Sequence, residues 1–219
     1  MEIAARIRRD GFAFIKEYRP NLSTLGVTRH LGNQIAFPDI PDVQRLVPKP
    51  LRESTPNSYS GNYGLGQFPL HTDLAHWARP PRYMLLRCVV GSPEVSTYVL
   101  NGKSILRAIG HEPLRRTLVR PRRPLNGQRQ LLRLLDSAGN GCSLIRWDFL
   151  YIRPASDFSN TVYTEVVSWL RNATPEALSL VMPGDTLIID NWRMLHGRSH
   201  ITTHAQNRLV ERMYLGDLH

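Results

Sequence analysis

Cysteine is scarce in this chain of 219 residues: Cys88 and Cys142 are all there is, and neither has a neighbour in sequence to pair with. That arithmetic argues against a disulfide framework. Cys88 sits in the apolar run Met84 to Val90, the setting of a buried thiol rather than of a reactive nucleophile. Such economy suits a reducing compartment, and a cytoplasmic protein is the expectation. Long apolar runs are missing too, so no segment approaches the roughly 20 apolar residues that cross a bilayer. The start, Met1-Glu2-Ile3-Ala4, lacks the basic residues and continuous apolar core of a signal peptide. Acidic residues are outnumbered, 18 against 28 basic ones, for a formal net charge of +10. The excess favours anionic partners without choosing among nucleic acid, a membrane surface and a small carboxylate. Much of it is arginine in one segment: Arg115, Arg116, Arg120, Arg122, Arg123, Arg129 and Arg133. Interleaved aromatics are absent there, so the segment lacks a base-stacking surface and reads first as a solvated basic face. No internal repeat or low-complexity tract interrupts the chain.

Proline and glycine are plentiful, 16 and 15 residues, and they divide short apolar runs. The pattern predicts a strand-rich body with many turns, and the length predicts a single domain over residues 1–219. A helix is expected over residues 2–9, ended by Asp10-Gly11, followed by a strand at Phe12 to Ile15 and a second helix from Ser23 to Leu31. Tyr83 to Val90, Ser96 to Leu100, Thr186 to Asp190 and Leu209 to Leu215 read as strands, with a further strand starting at Leu178 to Met182. Lys103 to Ile109 and residues 161–171 read as helices, whereas Gln130 to Leu135 fits either state. Ser143 to Asp148 and Leu150 to Ile152 look strand-like. Residues 38–69 carry Pro38, Pro41, Pro48, Pro50, Pro56 and Pro69 with Gly61, Gly64 and Gly66, so regular structure is not expected there. A segment of this kind is better suited to line or cover a site than to build a core.

Chemistry concentrates in His71-Thr72-Asp73 and, far downstream, His196. On a strand, residues two apart project to one side, so His71 and Asp73 would converge while Thr72 turns away. Two imidazoles and a carboxylate can hold a divalent iron on one face and leave the other face open. The triplet alone reads equally as a surface hydrogen bond. Its surroundings are more specific: Phe68-Pro69-Leu70-His71-Thr72-Asp73, then Pro80-Pro81 and the Leu85-Leu86-Arg87-Cys88 strand, then Pro183-Gly184-Asp185, Asp190-Asn191 and Leu195-His196-Gly197-Arg198. In order and context these motifs resemble the TauD/TfdA-like, Fe(II)- and 2-oxoglutarate-dependent dioxygenases, over about residues 10–216.

The resemblance implies a mainly β fold, a distorted double-stranded β-helix or jelly roll with peripheral helices. It implies that His71, Asp73 and His196 are the catalytic iron ligands, with 2-oxoglutarate and O2 as co-substrates. Arg208, twelve residues after His196, matches the family arginine that grips the remote carboxylate of 2-oxoglutarate, for which a planar guanidinium is well shaped. Arg212, four residues on, would share its face and touch co-substrate or substrate, and Thr97 matches a family threonine whose hydroxyl helps bind 2-oxoglutarate. The segment Gly91 to Thr97 holds less glycine than that pattern. Asn62, Tyr63, Gln67, Trp77, Arg146 and Arg198 are the candidates for substrate contacts, and His76 stands outside the triad. The implied reaction couples oxidative decarboxylation of 2-oxoglutarate to removal of a substrate hydrogen and return of a hydroxyl. In related halogenases a small residue replaces the carboxylate, so Asp73 points away from halogenation. Hydroxylation of a small polar or anionic metabolite is the leading expectation. Desaturation, epoxidation or cyclisation of a natural-product intermediate uses the same triad. Oxidation of a nucleic-acid or protein-bound substrate, and a non-catalytic anion- or nucleic-acid-binding role on a degenerate scaffold, remain open alternatives. So does a homo-oligomer.

Overall fold

Alternation of side chains along the strands sorts the molecule into layers, as seen in a computed structural model that describes residues 2–124, 127–128, 130–139 and 141–219. Arg129 of the basic cluster lies outside the described residues. The chain starts with α1 (Glu2–Asp10), β1 (Phe12–Ile15), α2 (Thr24–Leu31), β2 (Gln44–Leu46), α3 (Tyr59–Tyr63), β3 (Phe68–His71), β4 (Tyr83–Val90) and β5 (Ser96–Asn101). An insertion follows: α4 (Lys103–Ile109), α5 (His111–Arg116), β6 (Leu118–Pro121), β7 (Leu132–Arg133), β8 (Leu135–Gly139), β9 (Cys142–Ile145), β10 (Ile152–Pro154) and α6 (Asp157–Arg171). The chain ends with β11 (Glu176–Ser179), β12 (Thr186–Asp190), β13 (Met194–Arg198) and β14 (Leu209–Leu215).

Two antiparallel sheets form the body. One has the order β1-β12-β4-β14-β2 and the other β11-β5-β13-β3, so that from β3 to β5 and again from β11 to β14 the chain crosses from sheet to sheet at every step. In β4, Met84, Leu86 and Cys88 point between the sheets and meet Val99 of β5, Met194 of β13 and Leu187 of β12. The alternate residues Tyr83 and Leu85 point outward and are covered by Ile7 of α1 with Val27 and Leu31 of α2. Full burial of each such aliphatic side chain contributes about 1.5–3 kcal/mol. On the other sheet, Leu100 and Leu195 point outward under the insertion, where they pack with Ile105, Leu114, Trp147 and Val162. With both outer faces sealed, the space between the sheets is what remains for a site. No helix among the described residues is long and apolar enough to cross a membrane.

Most expected elements form where the pattern places them, with instructive exceptions. The strand expected at Leu178 to Met182 lies instead at Glu176–Ser179, because the amides of Val181 and Met182 donate to Asp185 Oδ2 at 2.8 and 2.9 Å and turn the chain. The strand-like run Ser143 to Asp148 stops at Ile145: the Trp147 amide turns to Thr72 Oγ1, 3.0 Å away. The run Gln130 to Leu135 contributes to two short strands, broken at Leu134, whose amide reaches Thr117 O at 3.1 Å. The two short helices α3 and α5 have no counterpart in the expected elements.

Candidate metal centre

His71 closes β3 and His196 sits opposite it on β13, the two paired in register. The neighbouring position must be glycine: a Cβ on Gly197 would lie 2.7 Å from Phe68 O, so any side chain would force apart the strands that carry the two histidines. Asp73 is not on the strand, contrary to expectation, since β3 ends at His71. Asn191 holds it instead, accepting from the Asp73 amide at 2.7 Å and donating to Asp73 O and Pro81 O, each at 3.0 Å. Thr72 does turn away, its amide 2.7 Å from Trp147 O. The result brings one ligating atom from each of His71, Asp73 and His196 within 4.8 Å of the others. Both imidazole Nε2 atoms lie 3.5 Å from Asp73 Oδ1.

The two carboxylate oxygens of Asp73 do different work. Oδ2 accepts from Arg212 Nη1 at 2.8 Å and from the Tyr214 hydroxyl at 2.9 Å, which leaves Oδ1 facing the imidazoles. Burial pushes the Asp73 pKa up, but Arg212 and the two imidazoles outweigh it and hold the group well below the usual carboxylate range. His196 is pushed down to about 4 by burial and by the charge of His71, whereas at His71 burial is overcome by Asp73 and the pKa rises. One carboxylate thus cannot keep both imidazoles protonated, and His196 offers a bare nitrogen. At His71, Nδ1 lies 2.8 Å from Pro69 O, a group that can only accept, so Nδ1 keeps a proton and Nε2, once a cation displaces its proton, is the ligating atom. Two imidazole nitrogens and one carboxylate oxygen on a common side are the donor set that suits a non-haem Fe(II) ion with open positions. The residues fit the ion.

A cavity of about 600 Å³ opens over this triad between the sheets. Arg208, just before β14, lines it while 6% exposed, and among the described residues its buried Nε has no hydrogen-bond partner. Burial lowers its pKa, the signature of a cation held away from water with no carboxylate of its own. Thr97 lines the same cavity from β5, paired in register with Arg198 of β13. Arg198 spends itself locally: its Cζ lies 3.7 Å over the Phe68 ring, Nη2 donates to Gly66 O at 2.6 Å, and burial with the charge of Arg208 brings its pKa to about 10. Arg212 lines the cavity, but its two Nη atoms go to Asp73 and to Gln44 Oε1, the latter at 2.6 Å. Its Nη1 orients the Asp73 carboxylate.

Five expected contacts lie elsewhere. Arg146 is completely buried, and its guanidinium donates to Arg133 O, Ala75 O, Trp77 O and Ala78 O, so it ties down the loop behind Asp73. Gln67 lines a separate hollow of about 400 Å³ on the outer side, with Leu70 and Tyr98. Trp77 packs edge-on against Phe37, ring centroids 4.9 Å apart. Asn62 donates its side-chain amide back to Ser58 O, and Tyr63 stacks on Tyr59, while Tyr59 of α3 and Ser58 just before it line the cavity instead. The structure adds Tyr59, His76, Asp148 and Tyr151 to the lining, with Arg45 and Lys49 exposed among the outer residues. Tyr59, Arg45 and Lys49 fall in the proline-rich segment, which does line the cavity.

Superposition on solved structures decides the architecture. Asparagine oxygenase, solved with Fe(II), 2S,3S-3-hydroxyasparagine and succinate, aligns with a TM-score of 0.72 over 97% of this chain and 77% of that one, at 18% identity. The chain has the fold of the Fe(II)/2-oxoglutarate oxygenases. The same oxygenase fold is seen in PvcB from Pseudomonas aeruginosa, with a TM-score of 0.68, 16% identity and coverage of 96% and 77%. PvcB is described as an Fe, alpha-ketoglutarate dependent oxygenase from an isonitrile synthetic pathway. The non-heme iron oxygenase OrfP, solved with Fe, succinate and (3S)-hydroxy-L-Arg, aligns with a TM-score of 0.62 at 21% identity over 80% of this chain and 57% of that one. No family model and no curated protein matches the sequence. The oxygenase fold expected from the motif resemblance is therefore found through structure, at low identity.

Proposed function

We propose that the chain is a single-domain Fe(II)- and 2-oxoglutarate-dependent dioxygenase that hydroxylates a small polar metabolite. The observation that carries this reading is the convergence of His71, Asp73 and His196 within 4.8 Å at the base of a cavity that also holds the unpaired cation Arg208. The alternation of strands between two antiparallel sheets supports a distorted double-stranded β-helix as the frame. His71, Asp73 and His196 would hold the iron, which supplies activation of O2 coupled to decarboxylation of 2-oxoglutarate to succinate and CO2.

The chain's own residues account for the rest. Arg208 offers a buried guanidinium to the remote carboxylate of 2-oxoglutarate, and Thr97, buried on β5 of the facing sheet, adds a hydroxyl to the same cavity. Arg212 and Tyr214 fix Asp73 so that a single oxygen faces the ion. Tyr59 stacks on the His71 imidazole at 4.2 Å and limits access of water from that side. A cavity of about 600 Å³, with its triad residues each 6% exposed, suits a small molecule better than a duplex or a folded protein. Hydroxylation is preferred to desaturation or cyclisation because it requires only one oriented hydrogen. Aerobic incubation of the iron-loaded protein with 2-oxoglutarate and a metabolite library tests the reading. Succinate formed together with a product that gains one oxygen supports it; a product that loses two hydrogens would move the assignment to desaturation or ring closure.

A further inference from the structure

One buried carboxylate in the cavity makes no salt bridge among the described residues. Asp148, just beyond β9, is 1% exposed and lines the cavity beside the triad. Its Oδ1 accepts from the amides of Leu150 and Tyr151 at 2.7 and 2.9 Å and closes the turn there. An asparagine would serve that turn equally well, so the turn does not explain a carboxylate. Among the described residues no arginine, lysine or histidine nitrogen makes a salt bridge with Asp148, whereas Asp73 has three such nitrogens within 3.5 Å. Burial pushes the Asp148 pKa up, and the charge of His71 and the two turn amides do not offset it.

A second polar group points the same way. The buried Tyr59 hydroxyl has no hydrogen-bond partner within 3.5 Å among the described residues but faces the Asp148 carboxylate, and burial, the Asp148 charge and hydrogen bonding to it hold its pKa well above the usual phenol value. The Tyr59 ring lies 5.9 Å from that of Tyr151, which lies 5.2 Å from the imidazole of His76. Burial lowers the pKa of His76, so this ring is neutral and adds no competing cation. A carboxylate among aromatic faces is the environment that accommodates an organic cation: the carboxylate pairs the charge, and the ring faces attract it. The cavity's other free charges, Arg208 within and Arg45 and Lys49 towards the outside, are positive.

We propose that Asp148, with Tyr59 and Tyr151, binds an ammonium or guanidinium group of the primary substrate. The oxidised metabolite is then cationic at one end, an amino acid or amine rather than a simple anion, and a carboxylate at its other end would meet Arg45 or Lys49. This rests on the dioxygenase reading above, because it assigns the substrate side of the same cavity.

Paired probes that differ only in charge test it. The anaerobic protein loaded with Fe(II) and 2-oxoglutarate is titrated with L-arginine against L-citrulline and with L-lysine against L-norleucine, following the visible charge-transfer band. The expected result is that at least one charged probe binds at least about tenfold tighter than its neutral partner, the scale of one charge-assisted hydrogen bond. Arginine and lysine separate a guanidinium site from an ammonium site. In Asp148→Asn, which keeps the Oδ1 acceptor and hence the turn, the preference for the charged member disappears. Neutral probes that bind as tightly as charged ones in the wild type, or a charge preference that survives in Asp148→Asn, would overturn the assignment while leaving the iron centre standing. Absence of the band before any probe is added would overturn the dioxygenase reading, and this assignment with it.

Discussion

Replacing Arg146 by methionine separates two roles for the largest completely buried side chain among the described residues. A substrate-binding arginine can be removed with little effect on folding. The structure instead gives this guanidinium four carbonyl acceptors, at 2.7 Å (Arg133), 3.0 Å (Ala75), 2.6 Å (Trp77) and 3.3 Å (Ala78), with Asp136 3.5 Å away. A hydrogen bond from a charged donor is worth about 1.5–3 kcal/mol, and four of them give a gross loss of roughly 6–12 kcal/mol. Much of that is returned, because methionine does not carry the cost of burying a charge, which is itself several kcal/mol. What is not returned is the desolvation of the orphaned carbonyls, so a net loss of about 3–5 kcal/mol is expected, as when one partner of a buried pair is removed. Against a typical domain stability of about 5–15 kcal/mol, this is a large share. Urea unfolding of the metal-free protein should show a clearly lower midpoint with an unchanged slope. Since Ala75 to Ala78 lie one residue beyond Asp73, iron affinity should fall as well. An unfolding free energy within about 0.5 kcal/mol of the wild type, the range of ordinary surface changes, would refute the strap.

Three further outcomes follow from the geometry. Arg208→Ala should weaken 2-oxoglutarate binding by about 10- to 100-fold, measured by calorimetry on the iron-loaded protein, since a charge-assisted pair with a carboxylate is lost. Gly197→Ala forces a Cβ to within 2.7 Å of Phe68 O and should cost about 1–3 kcal/mol in unfolding experiments while also weakening iron binding, because the displaced strand ends in His71. With a thiol reagent at neutral pH, Cys142, which is half-buried, should react and Cys88 should not, since Cys88 is 2% exposed and burial raises its pKa to about 11.

What the sequence displays and what it hides have physical causes. Tyr83–Val90 forms where expected because a short continuous apolar run suits a strand buried on both faces, and Lys103–Ile109 because its apolar residues recur at helical spacing. His71 and His196 are legible through motifs because their strands pair directly, which ties local sequence to the site. Asp73 is legible as a residue but not in its support: the clamp comes from Asn191, distant in sequence, and nothing in the triplet announces it. Arg146 and Arg212 show the limit for arginine, whose long side chain serves a carbonyl strap, a carboxylate prop or a ligand with the same local sequence. Tyr59 is hidden because one turn of helix inside a proline-rich stretch decides which ring faces inward. Asp148 lies beside Arg146, and the residue that faces the cavity is the acid, since the base is consumed behind it.

The most direct test of the central claim is the spectrum of the anaerobic protein with Fe(II) and 2-oxoglutarate. The triad and Arg208 predict a weak visible charge-transfer band in the wild type, lost in His71→Ala and in Asp73→Ala when circular dichroism shows that both variants remain folded. Folded, iron-loaded wild-type protein that shows no such band, or an undiminished band in either variant, would contradict it.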